Sequence, residues 1–260
     1  MGRVDSGVTP RGAARGPEPW RQSVSAVIPA YNEESYIERC VTALESVLDD
    51  MAGDYEIIVV DDGSVDRTAA ILESLKRSHP RLIVVHHDRN HGLGRTLRSG
   101  FAACTKAITF YSDADLPFDF AELGRGLRVM AFNGADVIAG FRHDRTNEGL
   151  RRILYSFVYN WLIRLAFGVR IKDVNFSFKL IRTPALHRMH LRSDGSFIDA
   201  EMMINADRMG LFICQIGVDY FKRRFGHSNL SSLRTIATML REMVRAYPAL
   251  ASIKPDVPSR

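Results

Sequence analysis

Asp113 and Asp115 stand two residues apart within Ala107–Asp119, AITFYSDADLPFD. Carboxylate oxygens suit hard divalent cations. Mg²⁺ usually takes one or two of them from a protein and shares the rest with substrate phosphates. The five residues ahead of the pair, Ala107 to Tyr111, form an apolar run that predicts a buried strand. Two carboxylates just past the C-terminal end of such a strand lie where open α/β sheets bind ligands. The pair therefore predicts a metal–diphosphate site. Taken alone, the same spacing also fits a surface turn, so its surroundings must decide.

Other stretches with chemical potential occupy comparable places. Val24–Pro29 (VSAVIP) leads into Tyr31 and Glu33, and Tyr55–Val60 (YEIIVV) runs into Asp61-Asp62-Gly63-Ser64. The second stretch predicts a turn that also caps the next helix, with one carboxylate more than a cap needs. Asn90–Gly94 (NHGLG) reads equally as a phosphate cradle or a plain loop. Asp199 and Glu201, in FIDAE, are candidate general bases toward a hydroxyl acceptor. On a helix their spacing turns them to different sides, and a cap or core carboxylate is the alternative. His86, His87, His143, His187 and His190 lack zinc-ligand spacing and read as loop or surface histidines.

The elements that must position these residues alternate regularly up to Gly140. Strands are expected at Val24–Pro29, Tyr55–Val60, Leu82–His86, Ala107–Tyr111 and Asp136–Gly140. Helices are expected at Glu33–Asp49, Asp66–Ser78, from Gly94 to about Cys104, and at Asp119–Phe132. Continuous apolar strands alternating with helices predict a parallel sheet covered on both faces. Beyond Gly140 the rhythm breaks. Leu150–Gly168 reads as a helix with Ile153, Leu154, Phe157, Val158, Trp161, Leu162 and Leu165 on a broad apolar face, interrupted by arginines. Basic heads beside aromatic bodies suit a helix lying in a membrane interface; a core or dimer helix is the alternative. Ser177–Ile181 and Leu211–Gly217 read as strands, a helix falls at about Ala200–Met209, and Leu230–Leu250 is amphipathic and basic.

Composition sets outer bounds. In 260 residues, 46% hydrophobic and 25% charged, there is material for a full core. Cys40, Cys104 and Cys214 are far apart, which fits a reducing cytoplasm better than a disulfide framework. Residues 1–22 read as a disordered tail, and no apolar stretch reaches the ~18 residues of a membrane span. Charge is uneven: residues 140–260 carry 20 Lys and Arg against 10 Asp and Glu, whereas the remainder carries 15 against 20. A basic second half suggests a phosphorylated substrate, an anionic lipid surface or nucleic acid, or simply a solvated face. No nucleic-acid module is present in the pattern.

Four loops come in register at strand ends: Ile28-Pro29-Ala30-Tyr31-Asn32-Glu33-Glu34, Val60-Asp61-Asp62-Gly63-Ser64, Asn90–Gly94 and Asp113-Ala114-Asp115. Further on stand Gly140-Phe141-Arg142, Asp173-Val-Asn-Phe-Ser-Phe-Lys179 and Tyr220-x-x-Arg223-x-x-Gly226-x-Ser228. Together they resemble family 2 inverting glycosyltransferases with the GT-A fold, an α/β fold with a mostly parallel central sheet and helices on both faces. Within that family the resemblance is to polyprenyl-phosphate enzymes of the dolichol-phosphate mannosyltransferase type. It covers roughly Val24 to Asn229. The implied division is a tail at 1–22, a catalytic domain at 23–229, and a C-terminal helix and tail at 230–260.

The resemblance implies a GDP- or UDP-linked sugar donor contacted by Pro29, Tyr31, Glu33, Val60, Asp62, Asp113, Ala114, Asp115, Arg142 and Arg223. It implies Mg²⁺ or Mn²⁺ on Asp113 and Asp115, with Asp115 the more direct ligand. Acceptor contacts fall to Asp173, Ser177 and Lys179, and catalytic roles to Asp115, Arg142 and one of Asp199 or Glu201. The implied acceptor is a polyprenyl phosphate. The implied setting is the cytoplasm, or its membrane face, reached peripherally or through a membrane partner subunit; a homodimer is a further option. Two departures matter. Phe176 stands where such enzymes often have Gly, and Asn229 where they commonly have Lys. They leave room for a soluble acceptor. A catalytically silent sugar-nucleotide-binding protein is the remaining alternative.

Overall fold

The computed structural model describes residues 22–143, 150–221 and 233–253. The strands are β1 (Val24–Ala30), β2 (Tyr55–Asp61), β3 (Leu82–His86), β4 (Ile108–Tyr111), β5 (Val137–Arg142), β6 (Lys179–Arg182) and β7 (Ile213–Val218). The helices are α1 (Ile37–Met51), α2 (Thr68–Leu75), α3 (Leu93–Ala102), α4 (Glu122–Asn133), α5 (Leu150–Phe167), α6 (Thr183–His187), α7 (Ile198–Arg208) and α8 (Leu233–Ala251).

The strands form one sheet in the order β3-β2-β1-β4-β6-β5-β7. Every residue of β1 and β2 is buried, as expected of continuous apolar strands covered on both faces. The parallel run breaks at β6, which lies antiparallel between β4 and β5. That insertion was not legible in the apolar pattern, and it matters for chemistry. Register sets Lys179 opposite Tyr111, two residues before Asp113. On the other side, Ala30 pairs with Asp61 and Asp61 with His86. The C-terminal ends of β1, β2 and β4 therefore open on one rim.

Two apolar clusters sandwich the sheet. On one face α1 buries Ile37, Cys40, Val41, Leu44 and Leu48, a helical spacing, against β1 and β2. The same face carries an aromatic group, Phe110, Phe118, Phe120, Phe176 and Phe178, in edge-on contacts with centroids 5.1 Å apart at closest (Phe118–Phe178). The other face is covered by α3, α6 and α7. A third cluster joins Tyr159, Ile163 and Phe167 of α5 to α7 and to Met239 and Leu250 of α8.

Two helices of the second half take their places in this packing. On α5 the buried stripe is Tyr159, Ile163 and Phe167; Leu154, Phe157, Val158, Trp161 and Leu165 are exposed. The C-terminal helix, set apart at 230–260 by sequence, packs onto α7, and Glu242 accepts the backbone N–H groups of Gly195 and Phe197 ahead of it. Among the described residues no helix is long and apolar enough to cross a membrane.

Candidate active site

The chain turns sharply after the acidic pair: Leu116 holds a left-handed φ of 54°, rare for a branched side chain, and Pro117 follows. The Tyr111 hydroxyl lies 3.4 Å from Asp113 Oδ1, and the Ser177 hydroxyl donates to Asp113. Asp113 is half-buried. Lost hydration, then the negative charges of Asp115, Asp199 and Glu33, push its carboxyl up to about 7. The same crowding is felt from below by Cys40 of α1, whose thiol is raised by burial and then by Asp115, Glu33 and Asp113. Glu33, Asp113 and Asp115 thus gather over the N-terminal half of α1.

Opposite them lies a buried charge cluster. Lys179 is fully buried, and its Nζ donates to the Phe176 carbonyl. Burial lowers its pKa, while Asp199, Asp173 and Asp113 draw it back up. Asp199 is buried near the start of α7; burial raises its carboxyl to about 6, against the pull of Lys179. Its Oδ1 has no hydrogen-bond partner. Arg142, at the end of β5, meets Asp173 in a bidentate pair, Nε to Oδ2 at 2.7 Å and Nη2 to Oδ1 at 3.1 Å. Its guanidinium sits 5.4 Å from the Tyr220 ring centroid and 5.9 Å from that of Phe176. Phe176, the departure from the family's Gly, is therefore part of the arginine's seat.

The loops after β1 and β2 are laced together. Asn32, itself at φ 56°, donates its N–H to Ser64 and accepts that of Val65, each at 2.9 Å. Glu33 N–H reaches the Thr68 hydroxyl at 2.8 Å. Asp66, one residue ahead of the N-cap Arg67, accepts the Thr68 N–H at 2.9 Å through Oδ1; Asp61 instead takes the Ser64 N–H and His86. Asp62 is buried and ties the next loop: it accepts His91 N–H, Gly92 N–H at 2.9 Å and His87 Nδ1 at 2.7 Å. Pro29 and Val60 lie in buried strand ends, Ala114 is buried, and Tyr31 is exposed on the rim.

Several expectations change here. The Asn90–Gly94 loop directs three of its N–H groups inward, His91 and Gly92 to Asp62 and Gly94 to the Asp194 carbonyl at 2.8 Å. Its glycines exist for close approach: a Cβ on Gly94 would lie 2.1 Å from the Ser193 carbonyl oxygen. Glu201 is withdrawn from candidate base, because both its oxygens accept backbone N–H groups of Arg192 and Ser193 at 2.9–3.0 Å. Lys179, expected at the acceptor surface, is interior. His87, read as a loop or surface residue, stands just past the end of β3 and buttresses Asp62. Tyr111 was missed as a site residue because it reads as strand core. Arg223 lies outside the described residues, as do Gly226, Ser228 and Asn229.

The donor set can be tested against a divalent cation. Two crowded carboxylates, one raised to about 7 by its neighbours, form a site whose excess negative charge a cation relieves. Among the described residues there is no cluster of three or more metal-binding side chains. Two carboxylates with the remaining positions left to substrate oxygens is the arrangement Mg²⁺ and Mn²⁺ accept, so the residues fit.

Residues 25–191 match the family model described as glycosyl transferase family 2. Among similar proteins, the undecaprenyl-phosphate 4-deoxy-4-formamido-L-arabinose transferase of Edwardsiella ictaluri is 31% identical over 84% of this chain and 66% of its own length. Glycosyltransferase AglD of Haloferax volcanii is 29% identical over 91% of this chain and 39% of its own. The chain thus spans two thirds or less of the length of these relatives. Its fold is that of the glucosyl-3-phosphoglycerate synthase of Mycobacterium tuberculosis, a structure with Mn²⁺, UDP-glucose and phosphoglyceric acid, at TM-score 0.68, 20% identity, 90% of this chain and 81% of that one. With its acidic pair at the rim of a mostly parallel sheet and the family model spanning more than half its length, the chain belongs to glycosyl transferase family 2.

Proposed function

We propose that the chain transfers a sugar from a nucleoside-diphosphate donor to a polyprenyl phosphate, at a site built on Asp113 and Asp115. The observation that carries this reading is the place of Asp113 and Asp115, just past the end of β4 on the rim where β1 and β2 also end, with Glu33 following β1. Mn²⁺ and UDP-glucose accompany the structural relative, which supports the metal and the donor class. The relatives named for undecaprenyl phosphate support the acceptor.

Asp113 and Asp115 would hold Mg²⁺ or Mn²⁺, which supplies Lewis-acid charge to the departing diphosphate. Pro29, Tyr31, Glu33, Val60, Asp62 and Ala114 are the proposed donor contacts, and Arg223, outside the described residues, is proposed as another. An acceptor phosphate oxygen bonds to the anomeric carbon from the face opposite the diphosphate, and the carbon–oxygen bond to the diphosphate breaks. Negative charge grows on the leaving oxygen, and Arg142, held by Asp173, is the proposed cation that meets it, with Ser177 a proposed acceptor contact. A phosphate monoester has a second pKa near ~6, so it attacks as the dianion and needs no general base.

The exposed α5 side chains Leu154, Phe157, Val158, Trp161 and Leu165 recur at helical spacing on one face, next to exposed Arg164. With the basic second half of the chain they suit an anionic lipid surface, which for this reading is the cytoplasmic leaflet.

A second reading, a soluble acceptor, has one observation in its favour: the structural relative is complexed with phosphoglyceric acid, a soluble molecule. If that acceptor reacts through a hydroxyl, Asp199, raised to about 6, is the base. The test is transfer of labelled sugar from UDP- and GDP-sugars to undecaprenyl phosphate in detergent with Mn²⁺, alongside flotation on anionic vesicles. Labelled lipid that disappears in Asp115→Asn, and flotation that disappears in Trp161→Glu, support the first reading. Transfer only to water-soluble acceptors, with no flotation, supports the second.

A further inference from the structure

On the far side of α7 from Asp199 lies a cavity of about 540 Å³ between the segment after α6, α7 and α8. The volume is that of small-molecule sites, roughly 300–1,000 Å³. Asp199 and Glu201 sit two residues apart on α7, so the helix separates this space from the catalytic cluster. Four basic side chains line it: Arg188, His190 and Arg192 from the loop after α6, and Arg245 from α8.

Three carboxylates also border the cavity. Glu201 accepts the Arg192 and Ser193 N–H groups. Glu242 accepts those of Gly195 and Phe197. Asp194 pairs with Arg98 of α3. Arg192 and Arg245 form no ion pair among the described residues. Glu201 and Glu242 keep their negative charge while accepting backbone N–H groups, so the arginines of the lining, Arg188, Arg192 and Arg245, outnumber them by one. Met209, Leu250 and Ile253 supply an apolar floor.

We propose that this cavity binds a phosphate-bearing small molecule with an apolar body, its phosphate held by Arg192 and Arg245. Guanidinium forks suit phosphate oxygens because each presents paired N–H donors, and the apolar floor favours an ester over free phosphate. The phosphate belongs to a lipid headgroup or to a soluble metabolite.

The test is calorimetric titration of the full chain in chelator, without donor or metal, so that its failure leaves the catalytic reading standing. The probes are inorganic phosphate, glycerol 3-phosphate and dioctanoyl phosphatidic acid below its micelle concentration. Saturable one-site binding of an ester is expected, weakened tenfold or more in Arg192→Ala/Arg245→Ala and only partly restored in Arg192→Lys/Arg245→Lys, which keeps the charge and loses the forks. Both arginines are exposed, so the variants should fold; an unchanged melting temperature checks this. Tighter binding of the lipid assigns a headgroup, and equal binding of the two esters assigns a soluble metabolite. Binding that survives the double Ala substitution, or saturable binding of none of the three probes, overturns the proposal.

Discussion

Lys179 and Tyr111 are register partners across the antiparallel β4–β6 pair, and this pairing carries a buried ammonium into the field of Asp113, Asp173 and Asp199. Removing one member of a buried charge cluster leaves the others uncompensated. Lys179→Met should therefore lower stability by roughly 3–5 kcal/mol and raise the Asp199 carboxyl above about 6. Denaturant unfolding checks the first outcome. A variant as stable as the parent would show that Lys179 does not hold the cluster together.

Asp113 and Asp199 give the metal-free protein a pH dependence of definite sign. Both carboxyls are raised in the folded state, to about 7 and about 6, above the ordinary range near ~4. The folded protein thus binds protons more tightly than the unfolded chain. The stabilisation is fully present below pH ~4 and is lost as pH rises through about 6 to 7. In chelator, the melting temperature of the parent should fall between pH 5.5 and 7.5 relative to Asp113→Asn/Asp199→Asn. Parallel profiles would contradict the raised carboxyls.

Asp62 holds a loop together by accepting the backbone N–H groups of His91, shared between its two oxygens, and Gly92, and one hydrogen bond from His87. Asp62→Asn places an amide N–H₂ against these donors. The cost should be about 1–3 kcal/mol, with weaker UDP binding because the rim loop loosens. Melting and equilibrium dialysis with UDP measure both. Parental values in both assays would remove Asp62 from the account.

Arg142→Lys keeps the charge but loses the fork that meets Asp173 at two oxygens. Sugar transfer should fall by about 10²-fold, on the scale of losing one positioned donor to a developing anion. Single-turnover transfer is the measurement, and an unchanged rate would assign Arg142 a purely structural role.

The strands before Gly140 were legible because each is an apolar run with a turn signal at its end, and the acidic pair followed from the same logic. What escaped depends on contacts between distant segments. The antiparallel insertion of β6 is set by how Lys179–Arg182 packs between β4 and β5, and four residues carry too little pattern to show it. Glu201 looked like a base until the backbone of 192–193 was seen to take both its oxygens. The roles of Gly92 and Gly94 come from the approach of 193–194, about a hundred residues away in sequence, and local spacing holds no trace of it. On α5 the apolar residues nearly encircle the helix, so periodicity did not reveal which face would be covered.

The central claim is that Asp113 and Asp115 hold a divalent cation against a nucleoside diphosphate. It is tested most directly by titrating Mn²⁺ into the full chain and following free Mn²⁺ by electron paramagnetic resonance, with and without UDP or GDP. The account predicts one Mn²⁺ bound per chain only when a nucleoside diphosphate is present, and loss of that binding in Asp115→Asn with the fold intact. Equal Mn²⁺ binding by the parent and Asp115→Asn, or none in the parent with either nucleotide, would contradict it.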